Sequence, residues 1–198
     1  ARKSRGLGDV YKRQVGAIIL SIQLIDFDGD SDLDLLGSAT QPSPGGNPPH
    51  FFFFACENIG IAESPVYDTP IDGPFGLTAF STPFEEQENE GAVFSMDFVD
   101  LDGDGDQDLM VSALDLESFY SSESTTSLVY YKNTGSSSAP DFSTPPLISP
   151  FGLEQVSSLA LIQFADIDAD GDDDAFIATS VQYDSTTSFQ ENISPVSV

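Results

Sequence analysis

The sequence predicts an all-β protein, a partial β-propeller of about two to three four-stranded blades with DxDxDGDxD loops. Three observations predict it. A strand–acidic loop–strand segment occurs three times, an aromatic strand ending at Asn follows it each time, and no stretch carries helical periodicity.

The acidic segments are IDFDGDSDLDLLGSA, VDLDGDGDQDLMVSA and ADIDADGDDDAFIAT. Their first aspartates, Asp26, Asp100 and Asp166, lie 74 and then 66 residues apart. Ahead of each loop runs an alternating strand. Leu20, Ile22 and Leu24 align with Phe94, Met96 and Phe98 and with Ala160, Ile162 and Phe164, and Gln23, Asp97 and Gln163 sit between them. Behind each loop comes an apolar second strand: Leu35-Leu36, Leu109-Met110-Val111 and Phe176-Ile177.

The third strand opens a block in which FFFFACENIGIAESPVYDTP aligns with LVYYKNTGSSSAPDFSTP, matching Asn58 with Asn133, Gly60 with Gly135 and Pro65 with Pro140. SFQENISP begins a third copy, with Asn192 in the same place. Asn-x-Gly after an aromatic strand predicts a turn that needs positive φ. A weaker fourth strand is expected near 66–71 and 141–148. PFGL at 74–77 and 150–153 precedes the next acidic strand, and 78–92 (with STPFEEQENEG) holds about ten extra residues, a surface insertion expected to be mobile. The repeats are drawn at 15–77, 78–153 and 154–198, the last one truncated. Propellers need about four to eight blades to close, so the chain reads as a piece of a longer array whose neighbouring blades would cover its ends.

Charge narrows the function. The 198 residues carry 6 Lys+Arg against 33 Asp+Glu, a net charge of −27. Residues 1–14 (ARKSRGLGDVYKRQ) hold five of the six bases and one acid, Asp9, which leaves 32 acids against Lys132 alone. This tail resembles translated sequencing-adapter read-through and is set aside as non-native. VGAIILSIQLI behind it imitates a signal peptide, but Ser21 and Gln23 interrupt it and no small-residue cleavage site follows. It is read as a strand, with the natural N-terminus missing.

An acid excess of this size excludes nucleic acid and anionic membranes as electrostatic partners. No apolar run reaches the 18 residues of a membrane span. A single cysteine, Cys56, excludes an intrachain disulfide framework and a Cys-rich zinc site, and a single histidine, His50, excludes His-dependent triads and multi-histidine metal sites. With one Lys and no Arg beyond the tail, the convergent unlike groups that catalysis requires are missing, and a non-catalytic role is expected.

The loops carry the chemistry. Asp stands at positions 1, 3, 5, 7 and 9 of each: Asp26, Asp28, Asp30, Asp32 and Asp34; Asp100, Asp102, Asp104, Asp106 and Asp108; Asp166, Asp168, Asp170, Asp172 and Asp174. Two carboxylates 4 Å apart repel by about 4 kcal/mol at an effective dielectric near 20. Five in nine residues call for a cation. Calcium takes six to eight oxygens, magnesium demands stricter octahedral geometry, and zinc wants nitrogen or sulfur that these loops lack. Up to three calcium ions are expected, one per loop. Gly105 and Gly171 at position 6 let the loop turn around an ion. The first loop has Ser31 there, which predicts a strained or weaker site, and the third has Ala169 at position 4. An EF-hand is excluded, because position 12 is Gly37, Val111 or Ile177 rather than a bidentate Glu, and it falls inside an apolar strand.

These loops, taken together with VYYKNTGSSSAPDFSTP and PFGL, resemble FG-GAP/VCBS-type repeats, the calcium-binding propeller repeats of secreted and cell-surface bacterial proteins, akin to integrin α-subunit blades. The resemblance spans 15–198. It implies side-chain ligands at positions 1, 3, 5 and 9 and a main-chain oxygen from Asp32, Asp106 and Asp172. It also implies an extracellular or cell-surface location and a calcium-stabilised module for adhesion or for protein or carbohydrate interaction. The alternative it leaves open is an accessory propeller on a secreted polysaccharide-active or other hydrolytic or lyase enzyme.

Other residues have plainer readings. His50 is expected at a strand edge and Cys56 as a small buried hydrophobe. Phe51 to Phe54, Tyr130 and Tyr131 are read as core rather than a sugar platform. Glu85, Glu86, Glu88 and Glu90 form a solvated run, and the Asn192 sequon carries no weight.

Overall fold

The structure is a computed structural model that describes residues 17–41, 50–77, 92–114, 125–153, 156–157, 159–181 and 184–190. The insertion at 78–91 and the Asn192 turn lie outside the described residues. Three antiparallel sheets account for the strands. The first contains β1 (Ile18–Ile25), β2 (Asp34–Gln41), β3 (His50–Cys56) and β4 (Ile71–Asp72) in that order. The second contains β5 (Ala92–Val99), β6 (Asp108–Leu114), β7 (Thr125–Tyr131) and β8 (Leu147–Ile148), with β9 (Val156–Ser157) also paired to β7. The third contains β10 (Leu159–Ala165), β11 (Asp174–Val181) and β12 (Asp184–Gln190). Among the described residues there is no α-helix, no helix long and apolar enough to cross a membrane, and no sheet that closes on itself.

Each acidic loop closes a hairpin in the same register. Ile25 pairs with Asp34, Val99 with Asp108 and Ala165 with Asp174, so the ninth residue of every loop is also the first of the following strand. The fourth strands are shorter than the sequence predicts. Only Ile71–Asp72 and Leu147–Ile148 join their sheets, and much of the expected stretch is irregular chain punctuated by isolated bridges such as Asn58–Tyr67 and Ser136–Ala139. The third sheet has three strands among the described residues.

Apolar side chains gather between sheets, because successive residues of a strand point to opposite faces. Leu109, Val111, Val129 and Tyr131 face the first sheet and meet Leu36, Phe53, Ala55 and Leu77. Met110, Leu128 and Tyr130 face the other way and meet Ala160, Ile162, Ala175 and Ile177. The middle sheet is thus buried on both faces, which is why Leu109-Met110-Val111 of β6 reads as an apolar run. The outward face of the first sheet collects Leu35, Ala39, Phe54 and Cys56. The aromatics belong to these cores as expected: Phe51, Phe53, Phe54, Tyr130 and Tyr131 are buried, and Phe53 meets Tyr131 edge-on at 6.1 Å. Cys56 is a buried thiol that burial pushes up to about 11, and His50 is exposed and stacks on Phe52.

Polar side chains stitch sheet to sheet at repeated positions. β1 lies beside β5, and β5 beside β10. Ser38 Oγ donates to the Val93 carbonyl at 2.8 Å, and its counterpart Ser112 donates to the Ala160 carbonyl at 2.7 Å. Gln23 donates to the Met96 carbonyl, and at the same place in the next repeat Asp97 accepts from the Phe164 N–H at 2.7 Å.

Candidate metal centre

The loops fold by letting the aspartates at positions 1, 3 and 5 capture backbone N–H groups ahead of them. Asp26 accepts from Gly29 at 2.7 Å and from Ser31 at 2.9 Å, Asp28 from Asp30 at 3.2 Å, and Asp30 from Asp32 at 3.0 Å. The second loop repeats this: Asp100 accepts from Gly103 at 2.8 Å and Gly105 at 2.9 Å, and Asp104 from Asp106 at 3.3 Å. In the third, Asp166 accepts from Gly171, Asp168 from Asp170 and Asp170 from Asp172, each at 3.2 Å. Those accepted by Asp28, Asp30, Asp104, Asp168 and Asp170 are Asx-type turns, which Asp favours because its short carboxylate reaches the backbone two residues on.

The inward turn of those N–H groups requires a left-handed backbone at positions 4 and 6. Gly103 (φ 74) and Gly105 (φ 95) adopt it in the second loop without strain. The first loop puts Ser31 there at φ 76 beside Gly29, and the third puts Ala169 there at φ 63 beside Gly171. A side chain in this region costs about 1–2 kcal/mol. The strain expected at Ser31 is present, and the third loop shares it.

The ninth aspartate is the buried anchor. Asp34 accepts from Phe27 N–H at 3.1 Å and Asn58 N–H at 2.7 Å. Asp108, 0% exposed, accepts from Leu101 N–H at 3.2 Å, Asn133 N–H at 2.8 Å and the Tyr130 hydroxyl at 2.7 Å. Asp174 is buried and accepts from Ile167 N–H at 3.1 Å. Burial pushes the Asp108 carboxyl up to about 6, against the pull of its Asn133 and Tyr130 bonds, and raises that of Asp34 in the same way.

Asn58 and Asn133 brace the anchors from the far side. Asn133 Oδ1 accepts from Gly135 N–H at 2.9 Å and Asp141 N–H at 3.0 Å, and Asn58 Oδ1 accepts from Gly60 at 3.1 Å and Val66 at 2.8 Å. The glycines have a different role from the one the sequence predicts. Neither Gly60 nor Gly135 has a left-handed φ. They are needed because the chain folds back on them: a Cβ on Gly60 would lie 2.6 Å from the Ser64 carbonyl oxygen, and one on Gly135 would collide with that of Ala139.

Three groups of carboxylates can hold a metal ion. Asp26, Asp28 and Asp34, then Asp100, Asp102 and Asp108, then Asp166, Asp168 and Asp170 each offer an oxygen within 4.8 Å of the others. Asp30, Asp32, Asp104, Asp106, Asp172 and Asp174 lie in the same loops but outside these groups. Position 7 adds an observation that composition does not contain. Asp32 is 5% exposed, and its Oδ1, like that of Asp106, is buried with no hydrogen-bond partner. Burial and then the charges of Asp30, Asp28 and Asp26 hold the Asp32 carboxyl above the usual range. A buried oxygen with no donor, among like charges, fits a cation, since leaving it unsatisfied costs about 1–3 kcal/mol. The second loop also has an internal cation: Lys132 Nζ bonds Asp102 and lies 3.4 Å from Asp104.

No protein-family model, curated protein or solved structure matches the chain.

Proposed function

We propose that the chain is a calcium-stabilised extracellular repeat module of the FG-GAP/VCBS type, a non-catalytic segment of a β-propeller that serves adhesion or binding of a protein or glycan. The observation that carries this reading is a three-carboxylate group, its oxygens within 4.8 Å, at the same hairpin corner of three sheets, built from loop positions 1, 3 and 9 in the first two loops and 1, 3 and 5 in the third. The orphaned Asp32 and Asp106 oxygens support it. Sheets packed face to face with their first strands side by side are also what radial stacking of blades produces.

Calcium suits the donor set because all its donors are oxygens in a loop able to adjust its geometry, whereas magnesium holds its waters and wants a strict octahedron. Extracellular calcium modules bind at about 10⁻⁴–10⁻³ M, and the ion's role here is to neutralise the corner and fasten strand to strand, so binding energy becomes folding energy. Thermal melts in millimolar calcium, in magnesium and in chelator test this. At a one- to ten-fold excess over Kd a site adds about 0.4–1.4 kcal/mol, and 1 kcal/mol moves Tm by about 2–4 °C at this length. Calcium should raise Tm by several degrees or more and magnesium by less. A Tm indifferent to calcium overturns the reading.

A further inference from the structure

The three loops share their aspartates but not their neighbours. The residue before the bracing Asn is Lys132 at the second loop and Glu57 at the first. The two positions are equivalent in the fold, since the following Asn58 and Asn133 donate their N–H groups to Asp34 and Asp108 in the same way. Lys132 is the only base beyond residue 14. Its ammonium bonds Asp102, a member of the second carboxylate group, and lies 3.4 Å from Asp104. Glu57 places an acid, exposed to solvent, at the corresponding point of the first corner.

We propose that Lys132 is a resident counter-ion that competes with the metal in the second loop, so that this loop binds calcium more weakly than the first. The inference rests on the calcium reading above and deepens it. It reverses the ranking that backbone strain gives, in which the second loop, with glycine at both left-handed positions, is the most relaxed. Charge outweighs strain here because the ammonium must leave Asp102 before that oxygen can bind the ion. Once displaced, it remains beside a divalent cation, and a unit charge there shifts affinity by roughly ten-fold even with the screening of water. Without metal the same ammonium relieves the repulsion among the second loop's carboxylates, and among the described residues no second Lys or Arg does this for the first loop.

Calorimetric titration of the full chain with calcium, comparing wild type with Lys132→Gln and Lys132→Glu, tests the proposal. One class of sites should tighten about ten-fold in Lys132→Gln and further in Lys132→Glu, with the other classes unchanged. Melts supply a second readout that a purely structural role would not move: Lys132→Gln should melt below wild type in chelator and at or above it in millimolar calcium. Calcium binding by wild type with isotherms unchanged in both variants, or a Tm difference of the same sign and size with and without calcium, overturns this inference alone. No binding of calcium by any of the three proteins overturns the calcium reading and this inference with it.

Discussion

Freed of metal, the protein should become more stable when acidified from pH 7 to pH 5. Asp108 carries the argument. It opens β6, is fully buried, and burial pushes its carboxyl from 3.8 up to about 6. The folded chain therefore keeps this proton at a pH where the unfolded chain has lost it. The cost of ionising the buried group is full above the folded value. It fades as pH falls through about 6 and is gone below the unfolded value. A shift of roughly two units is worth about 3 kcal/mol. Of this, about 1 kcal/mol is recovered between pH 7 and pH 5, a rise in Tm of about 2–4 °C. Burial pushes Asp32, Asp34, Asp97 and Asp106 in the same direction. Saturating calcium should invert the trend, because a bound cation favours the ionised carboxylates and protons expel it. Melts followed by circular dichroism at pH 7, 6 and 5, after chelation and again in excess calcium, read both slopes. A chelated protein whose Tm stays flat or falls over this interval refutes the reasoning.

Three substitutions probe the frame around the loops. Asn133→Ala strands the Gly135 and Asp141 N–H groups and should cost about 2–3 kcal/mol in urea unfolding. Gly135→Ala drives a methyl into the Ala139 carbonyl and should cost about 1–3 kcal/mol, visible as a lower urea midpoint at unchanged slope. Ala169→Gly relieves the φ of 63 and should stabilise the third loop by about 0.5–1 kcal/mol after the extra backbone entropy of glycine is deducted, read as a higher Tm in chelator.

The sequence made most of the architecture visible because the repeat itself is a strong signal. The alternation of Leu20, Ile22 and Leu24, and of its two later copies, marks β1, β5 and β10. The apolar runs after the loops mark β2, β6 and β11. What it concealed depends on distance along the chain. The fourth strands shrink to pairs of residues because Asn58 and Asn133 bind the following backbone with side-chain oxygens, replacing ladder bonds that a strand would use. Asn-x-Gly reads locally as a positive-φ turn; the close approach that excludes a side chain at Gly60 and Gly135 comes from residues four positions on. Within the candidate centres, the five-fold aspartate pattern marks every ligand candidate equally. Only the fold separates the buried anchors Asp34, Asp108 and Asp174 from exposed Asp30 and Asp104. The counterpart roles of Lys132 and Glu57 could have been found from the alignment of ENIG with KNTG, had the residue before the Asn been compared.

Burial on both faces gives β6 a distinct place in the protein's motions. Amide protons of Met110, Val111 and Ser112 can meet solvent only when the sheets on either side separate, so their exchange should track global unfolding. β10 and β11 leave Leu161 and Phe176 47% and 40% exposed. They can part from the middle sheet while it remains paired with the first, and should exchange sooner. Hydrogen exchange across the three equivalent hairpins would then rank them by enclosure, although their loop sequences are nearly the same.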